Sequence, residues 1–212
     1  VGPKDDIIQV LTEAHGEAPL TIFVNGTHDI SGPWSDQTTA SEIYLVAESG
    51  ATLSGVLKIY KGAPPMHITG FEIRARIDVE ALAPLEISDC KFRRAASSSR
   101  RLSEENEEAA IIVRRGHTTI TNGDFEGLDL AINVQGGTIS IAESNFRQNR
   151  DSIYVTNGLI SIANTNFRAS RGTALHVVGG NVVLKNKTLV EARPDQPALN
   201  ISNGDLVRYE LP

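Results

Sequence analysis

The residues best placed to do chemistry are arginines. Arg93, Arg147 and Arg168 each directly follow a phenylalanine, and Arg150 and Arg171 each lie four residues after one. Phe146 and Phe167 are 21 residues apart, so a fold that stacks this period sets Arg147 and Arg150 beside Arg168 and Arg171. Guanidinium groups held that close repel unless something anionic lies among them, and their planar donor forks suit a carboxylate, sulfate or phosphate. Arg147, Arg150, Arg168 and Arg171 are therefore the candidate anionic-ligand site. The plainer alternative is a solvated rim balanced by Glu126, Asp129 and Asp151.

A second row recurs at nearly the same period: Ile112, Asn133, Tyr154 and His176. Tyrosine beside histidine on a flat surface suits contact with a sugar or a protein, whereas a lone exposed histidine is seldom catalytic. Thr119, Thr121, Ser140 and Ser161, with alanines between them, would form a flat strip of short side chains, a docking face for another chain. Asn25-Gly26-Thr27, Asn186-Lys187-Thr188 and Asn200-Ile201-Ser202 are N-glycosylation sequons, meaningful if the chain enters the secretory pathway. Cys90 is the only cysteine, so no internal disulfide forms; its place two residues before Phe92 predicts a small packed turn residue rather than a reactive thiol. Spacing alone assembles no catalytic residue, no metal-ligand set and no cofactor motif.

The elements that would position these residues follow from a repeat. Phenylalanines stand at 71, 92, 125, 146 and 167, spaced 21 apart except across one gap of 33, and that gap holds the 12-residue stretch 97–108, rich in Arg and Glu. Leu85 and Ile87, Ile139 and Ile141, and Ile160 and Ile162 precede successive phenylalanines at the same distances; Val182, Leu184 and Leu189 repeat the scheme after a one-residue insertion. Ile111 with Val113, Ile132 with Val134, Ile153 with Val155 and Leu175 with Val177 form a second alternating pair, and glycine turns close most units. Period-two alternation marks strands, and a fixed repeat of about 20 residues with two short strands marks the rung of a parallel β-helix. Residues 1–16, with Asp5 or Asp6 as N-cap, Ile7, Val10, Leu11 and Ala14 on one side and Gly16 as the stop, read as an N-terminal capping helix. Residues 97–108, lacking apolar periodicity, read as a mobile insertion loop.

An amphipathic helix followed by "TIFVNGTHDI", "ATLSG", "HITGFEI" and coils such as "ISIANTNF" resembles the right-handed parallel β-helix proteins of the pectin-lyase-like superfamily. The resemblance implies a right-handed solenoid and an extracellular or cell-surface setting, and many such proteins cleave acidic polysaccharides. Their hydrolase signatures are not repeated here: Asn164-Thr165-Asn166 lacks the carboxylate, and Gly116-His117-Thr118 lacks the second glycine. Acid/base hydrolysis of a glycoside requires two positioned carboxylates, and no sequence motif supplies them. The calcium-lyase pattern would need Asp124, Asp129 and Asp151 on neighbouring rungs, where they read more simply as turn residues.

The bulk composition agrees. The chain has 212 residues, 40% of them hydrophobic, and a formal net charge of −6, enough for one cored domain and unlike a nucleic-acid binder. No apolar run approaches the roughly 20 residues that span a bilayer. The expectation is one all-β domain over 1–212, about 21 to 22 residues per coil, forming part of a larger protein or assembly. It would be a non-catalytic module presenting flat faces to a protein or an anionic glycan, without cofactor. The alternative is a polysaccharide lyase or glycoside hydrolase.

Overall fold

Short runs of alternating apolar residues, each cut by a glycine or asparagine bend, cannot bury their apolar side alone and must stack. They do so here as an all-β parallel β-solenoid of about seven turns, with about 22 residues per turn. The computed structural model describes residues 2, 6–13, 16–33, 39–94, 109–168, 171–191 and 198–209. The stretch 97–108 lies outside them, as does part of the segment 1–16.

One nine-stranded sheet runs through Leu20–Val24, Ile43–Ala47, Met66–Thr69, Leu85–Ser88, His117–Thr121, Thr138–Ala142, Leu159–Ala163, Asn181–Lys185 and Asp205–Tyr209. The second sheet is fourteen-stranded and forks from the long strands Thr52–Ile59 and Glu72–Val79. One arm, the phenylalanine arm, continues through Lys91–Arg93, Asp124–Glu126, Asn145–Arg147, Asn166–Arg168 and Leu189–Val190. The other, the valine arm, continues through Ala109–Val113, Leu130–Val134, Asp151–Val155, Leu175–Val177 and Leu199–Ile201. Each rung thus has three sides, and each strand pairs in parallel with its counterpart one coil away.

Inside, like stacks on like. Ile120, Ile141 and Ile162 are in register on the first sheet, and Ile111, Ile132 and Ile153 on the valine arm. Phe92, Phe125, Phe146 and Phe167 form a buried ring stack with centroids 4.3, 4.5 and 4.7 Å apart. These spacings are close to the strand separation of about 4.8 Å, so the backbone ladder imposes the stacking.

The turn that leads into the phenylalanine arm is built from two neighbouring positions. Asp89, Asn122, Glu143, Asn164 and Asn186 adopt φ of 48–55°, the left-handed region that Asn and Asp tolerate best. After Asp89, Asn122, Glu143 and Asn164 the next residue occupies an inward slot; after Asn186 the next residue, Lys187, is exposed. Ser144 Oγ accepts from the Gly123 N–H at 3.0 Å and donates to the Ala142 carbonyl at 2.8 Å; Thr165 repeats the arrangement one coil on. Cys90 holds the same slot, fully buried, donating to the Ser88 carbonyl at 3.2 Å.

Two sequence expectations are corrected by the register. Phe71 is buried but lies outside the ring stack: Ile73 pairs with Phe92, and the Phe71 carbonyl accepts from Lys91 N–H as the Cys90 carbonyl does from Asp124. Phe71 therefore fills the inward turn slot. At the other end Val190, not Leu189, pairs with Phe167, and Leu189 is 43% exposed. The extra residue of that coil sits in the turn, which shifts the inward position by one.

One short helix, Ile7–Glu13, precedes the first strand. The Asp6 carboxylate accepts from the Gln9 N–H at 3.3 Å, fixing Asp6 as its N-cap, and Ile7 and Leu11 join the core.

Candidate functional site

The outer face of the phenylalanine arm carries two columns. The strand pairing sets Asp124, Asn145 and Asn166 in one and Glu126, Arg147 and Arg168 in the other, each on successive rungs. Asp124, Asn145, Phe146, Arg147, Asn166 and Arg168 line a groove of about 390 Å³. Because the two columns flank an inward phenylalanine, alternation points both toward solvent.

The electrostatics of the groove are uneven. Arg147 Nη2 lies 2.8 Å from Asp124 Oδ2 and 3.1 Å from Glu126 Oε2. Arg93 Nη2 approaches the same two oxygens at 2.6 and 3.3 Å, and its Nη1 also donates to the Phe92 and Asp124 carbonyls. These two guanidiniums and two carboxylates form a neutral quartet. Arg168 differs: its side chain is 60% exposed and its sole ion-pair contact among the described residues is Glu191 at 3.7 Å. So long and exposed a contact contributes little. Between them Asn166 Nδ2 donates to Asn145 Oδ1 at 3.2 Å.

Of the four predicted arginines, two line the groove. Arg147 and Arg168 meet in the groove, whereas Arg150 and Arg171 lie in the turn beyond the strands and do not line it. Arg150 Nε contacts Asp151 Oδ2 at 3.2 Å; Arg171 is exposed and makes no ion pair among the described residues. The sequence offers Asp124 only as a calcium ligand or a turn residue and Asn166 only within the incomplete Asn164-Thr165-Asn166 motif, and Asn145 belongs to no motif.

The row predicted as a partner face is only partly exposed. Ile112, Asn133, Tyr154 and His176 share one register column on the valine arm, and the Tyr154 and His176 rings meet edge-on at 4.9 Å. Asn133, however, is 1% exposed and Ile112 fully buried, in or beside a small apolar cluster with Ala109 and Leu130, so Asn133 offers no surface to a partner. Beside them Arg114 grips the nearly buried Asp78 through Nε at 3.0 Å and Gln135 Oε1 through Nη1 at 2.5 Å. Thr119, Ser140 and Ser161 are in register, with Thr121 one column over, and all four are half-exposed. Asn25, Asn186 and Asn200 are exposed.

A constellation the sequence did not reveal lies on the first sheet. His67 Nε2 is 2.6 Å from Glu42 Oε1, its Nδ1 is 3.0 Å from Glu86 Oε2, and the Tyr44 ring stacks on the imidazole at 4.4 Å. Hydrogen bonds from Tyr44 and then His67 hold the Glu42 carboxyl below its ordinary range, and the same Glu42 contact pushes the Tyr44 phenol up. The register explains the oversight: Ile43 pairs with Met66, 23 residues on, and Met66 with Leu85, 19 on, so a search at 21 misses it. Among the described residues no group of three His, Cys, Asp or Glu is arranged to hold a metal ion, and no helix is long and apolar enough to cross a membrane.

No family model, curated protein or solved structure matches this chain.

Proposed function

We propose that this domain is a non-catalytic β-solenoid interaction module, of pectin-lyase-like type and exposed at the cell surface or outside the cell, that holds an anionic glycan on its phenylalanine arm. The observation that carries this reading is the groove in which Asn145 and Asn166 amides converge with the Arg147 and Arg168 guanidiniums. Amides read hydroxyls and guanidiniums read acidic groups, and a sugar acid offers both on one ring. The rigid, half-exposed Thr119, Ser140 and Ser161 strip leaves a second face for a protein neighbour within a larger assembly. Replacing Arg147, Arg150, Arg168 and Arg171 together with alanine should weaken binding of acidic oligosaccharides in calorimetric titration and flatten its salt dependence. Unchanged binding would dismiss the site.

A second reading, a carbohydrate-active enzyme, draws on Glu42, His67 and Glu86. Two carboxylates flanking a proton carrier are the ingredients of acid/base chemistry, although here both are engaged by the same imidazole. A reducing-end and unsaturated-product assay on uronan substrates, with and without calcium, separates the readings. Turnover that Glu42→Gln abolishes would establish the enzyme.

A further inference from the structure

The inference concerns which ligand the groove selects, and it rests on the glycan-binding reading above. We propose that the groove selects a chain of low charge density, gripping one anionic group with Arg168 while Asn145, Asn166 and Asp124 read hydroxyls, and that it rejects polyanions.

The division of labour follows from the contacts. Arg147 shares Asp124 and Glu126 with Arg93, so its charge is already matched inside the quartet. Withdrawing it toward a ligand would leave two carboxylates with one guanidinium. Among the described residues Arg168 has no such tie, since Glu191 at 3.7 Å and 50% exposure is an easily surrendered neighbour. An incoming carboxylate can take both prongs of its fork in a planar two-point contact.

The amides supply the second half of the pattern. Asn145 Oδ1 accepts from Asn166 Nδ2, which leaves Asn145 Nδ2 as a donor and Asn166 Oδ1 as an acceptor with no other partner among the described residues. A free donor on one rung and a free acceptor on the next can each engage a hydroxyl, which both accepts and donates. Asp124 lies two rungs from the Arg168 level, roughly 10 Å by strand spacing. Its carboxylate accepts from a hydroxyl placed there, whereas the charge-matched quartet to which it belongs offers an anion no net attraction. A ligand with acidic groups at every position would set one against Asp124 whenever another reached Arg168. A ligand with one acidic group per two sugars need not.

The test compares hyaluronan oligosaccharides, with one carboxylate per disaccharide, against heparin oligosaccharides of equal length, by calorimetric titration of the full chain. The expected result is tighter binding of the hyaluronan probe, with a salt slope of about one, as for a single ion contact. Arg168→Ala should weaken it tenfold or more without lowering Tm, and Asn166→Ala threefold to tenfold. Arg147→Ala should show the opposite balance, a lowered Tm and no more than a threefold loss of affinity. Asp124→Asn should raise heparin affinity at least fivefold. Tighter heparin binding by the unaltered chain, or equal losses for Arg147→Ala and Arg168→Ala at unchanged Tm, would overturn the selectivity while leaving a glycan-binding groove in place. Binding of neither probe would overturn both.

Discussion

Thr118 shows how a single atom departs from the logic of its surroundings. It stands in an inward column between Leu85 and Ile139, fully buried, and its hydroxyl has no hydrogen-bond partner among the described residues. A dehydrated hydroxyl without a partner destabilises, so Thr118→Val, equal in shape, should raise the unfolding free energy by about 1–2 kcal/mol in urea titration. Glu143 is the converse case: it occupies the left-handed position that aspartate or asparagine fills in the other coils. Glu143→Asn should gain about 0.5 kcal/mol by the same measurement. Burial pushes the Cys90 thiol up to about 11, while an unfolded thiol titrates near 8.5. The folded chain therefore keeps this proton where the unfolded chain has lost it, and stability is full below about pH 8.5 and declines as pH rises toward 11. Cys90→Ser should remove that alkaline decline, and the native thiol should resist alkylating reagents at pH 8. The buried, small-slot character of Cys90 was legible from its alignment with Gly123, Ser144 and Thr165. The groove residues Asn145 and Asn166 were not, because an exposed asparagine looks the same in a turn and in a binding site until its neighbours are known.

At the scale of the rung, the phenylalanine stack is the clearest target. Phe146 has an aromatic ring on both sides, so Phe146→Ala opens a cavity that neighbouring coils cannot close without breaking their ladder. A loss of about 3–5 kcal/mol is expected from chemical denaturation. The opposite corner is governed by backbone proximity: at Gly137 a methyl group would lie 2.7 Å from the Gly116 carbonyl oxygen, and φ there is 74°. The architecture was legible because central coils keep a period of 21, which places chemically equal residues in contact. The period failed where coils differ in length. Phe71 fits the spacing of 21 and Leu189 fits it after a one-residue insertion, yet neither takes the stacked position, because register follows the inward turn slot rather than the aromatic residue. Length variation among the early coils likewise concealed His67 and its carboxylates.

The whole molecule is a sum of nearest-neighbour contacts, which predicts how it responds to loss of a part. Deleting residues 138–158 removes one complete coil and joins Gly137 to Leu159, so the Leu159–Ala163 strand can dock on His117–Thr121 in the register now held by Thr138–Ala142. The shortened chain should remain folded by circular dichroism, with a smaller denaturant dependence in proportion to the surface removed. Deleting one residue fewer leaves an extra residue for the turn to absorb, as in the 22-residue step from Leu159 to Asn181, so that variant should stay folded with a lower Tm. Stability is also graded along the axis: Ile132 and Ile153 are fully buried, whereas Leu199, Ile201 and Leu206 at the final coil are half-exposed. Amide hydrogen exchange should be slowest in the middle coils and fastest at 198–209. The strictly sequential pairing, in which each strand of the first sheet meets the one laid down a coil earlier, has a biosynthetic consequence. As the polypeptide leaves the ribosome, every new coil finds its template already waiting, so assembly can proceed vectorially at the pace of translation without holding any segment open for a distant mate.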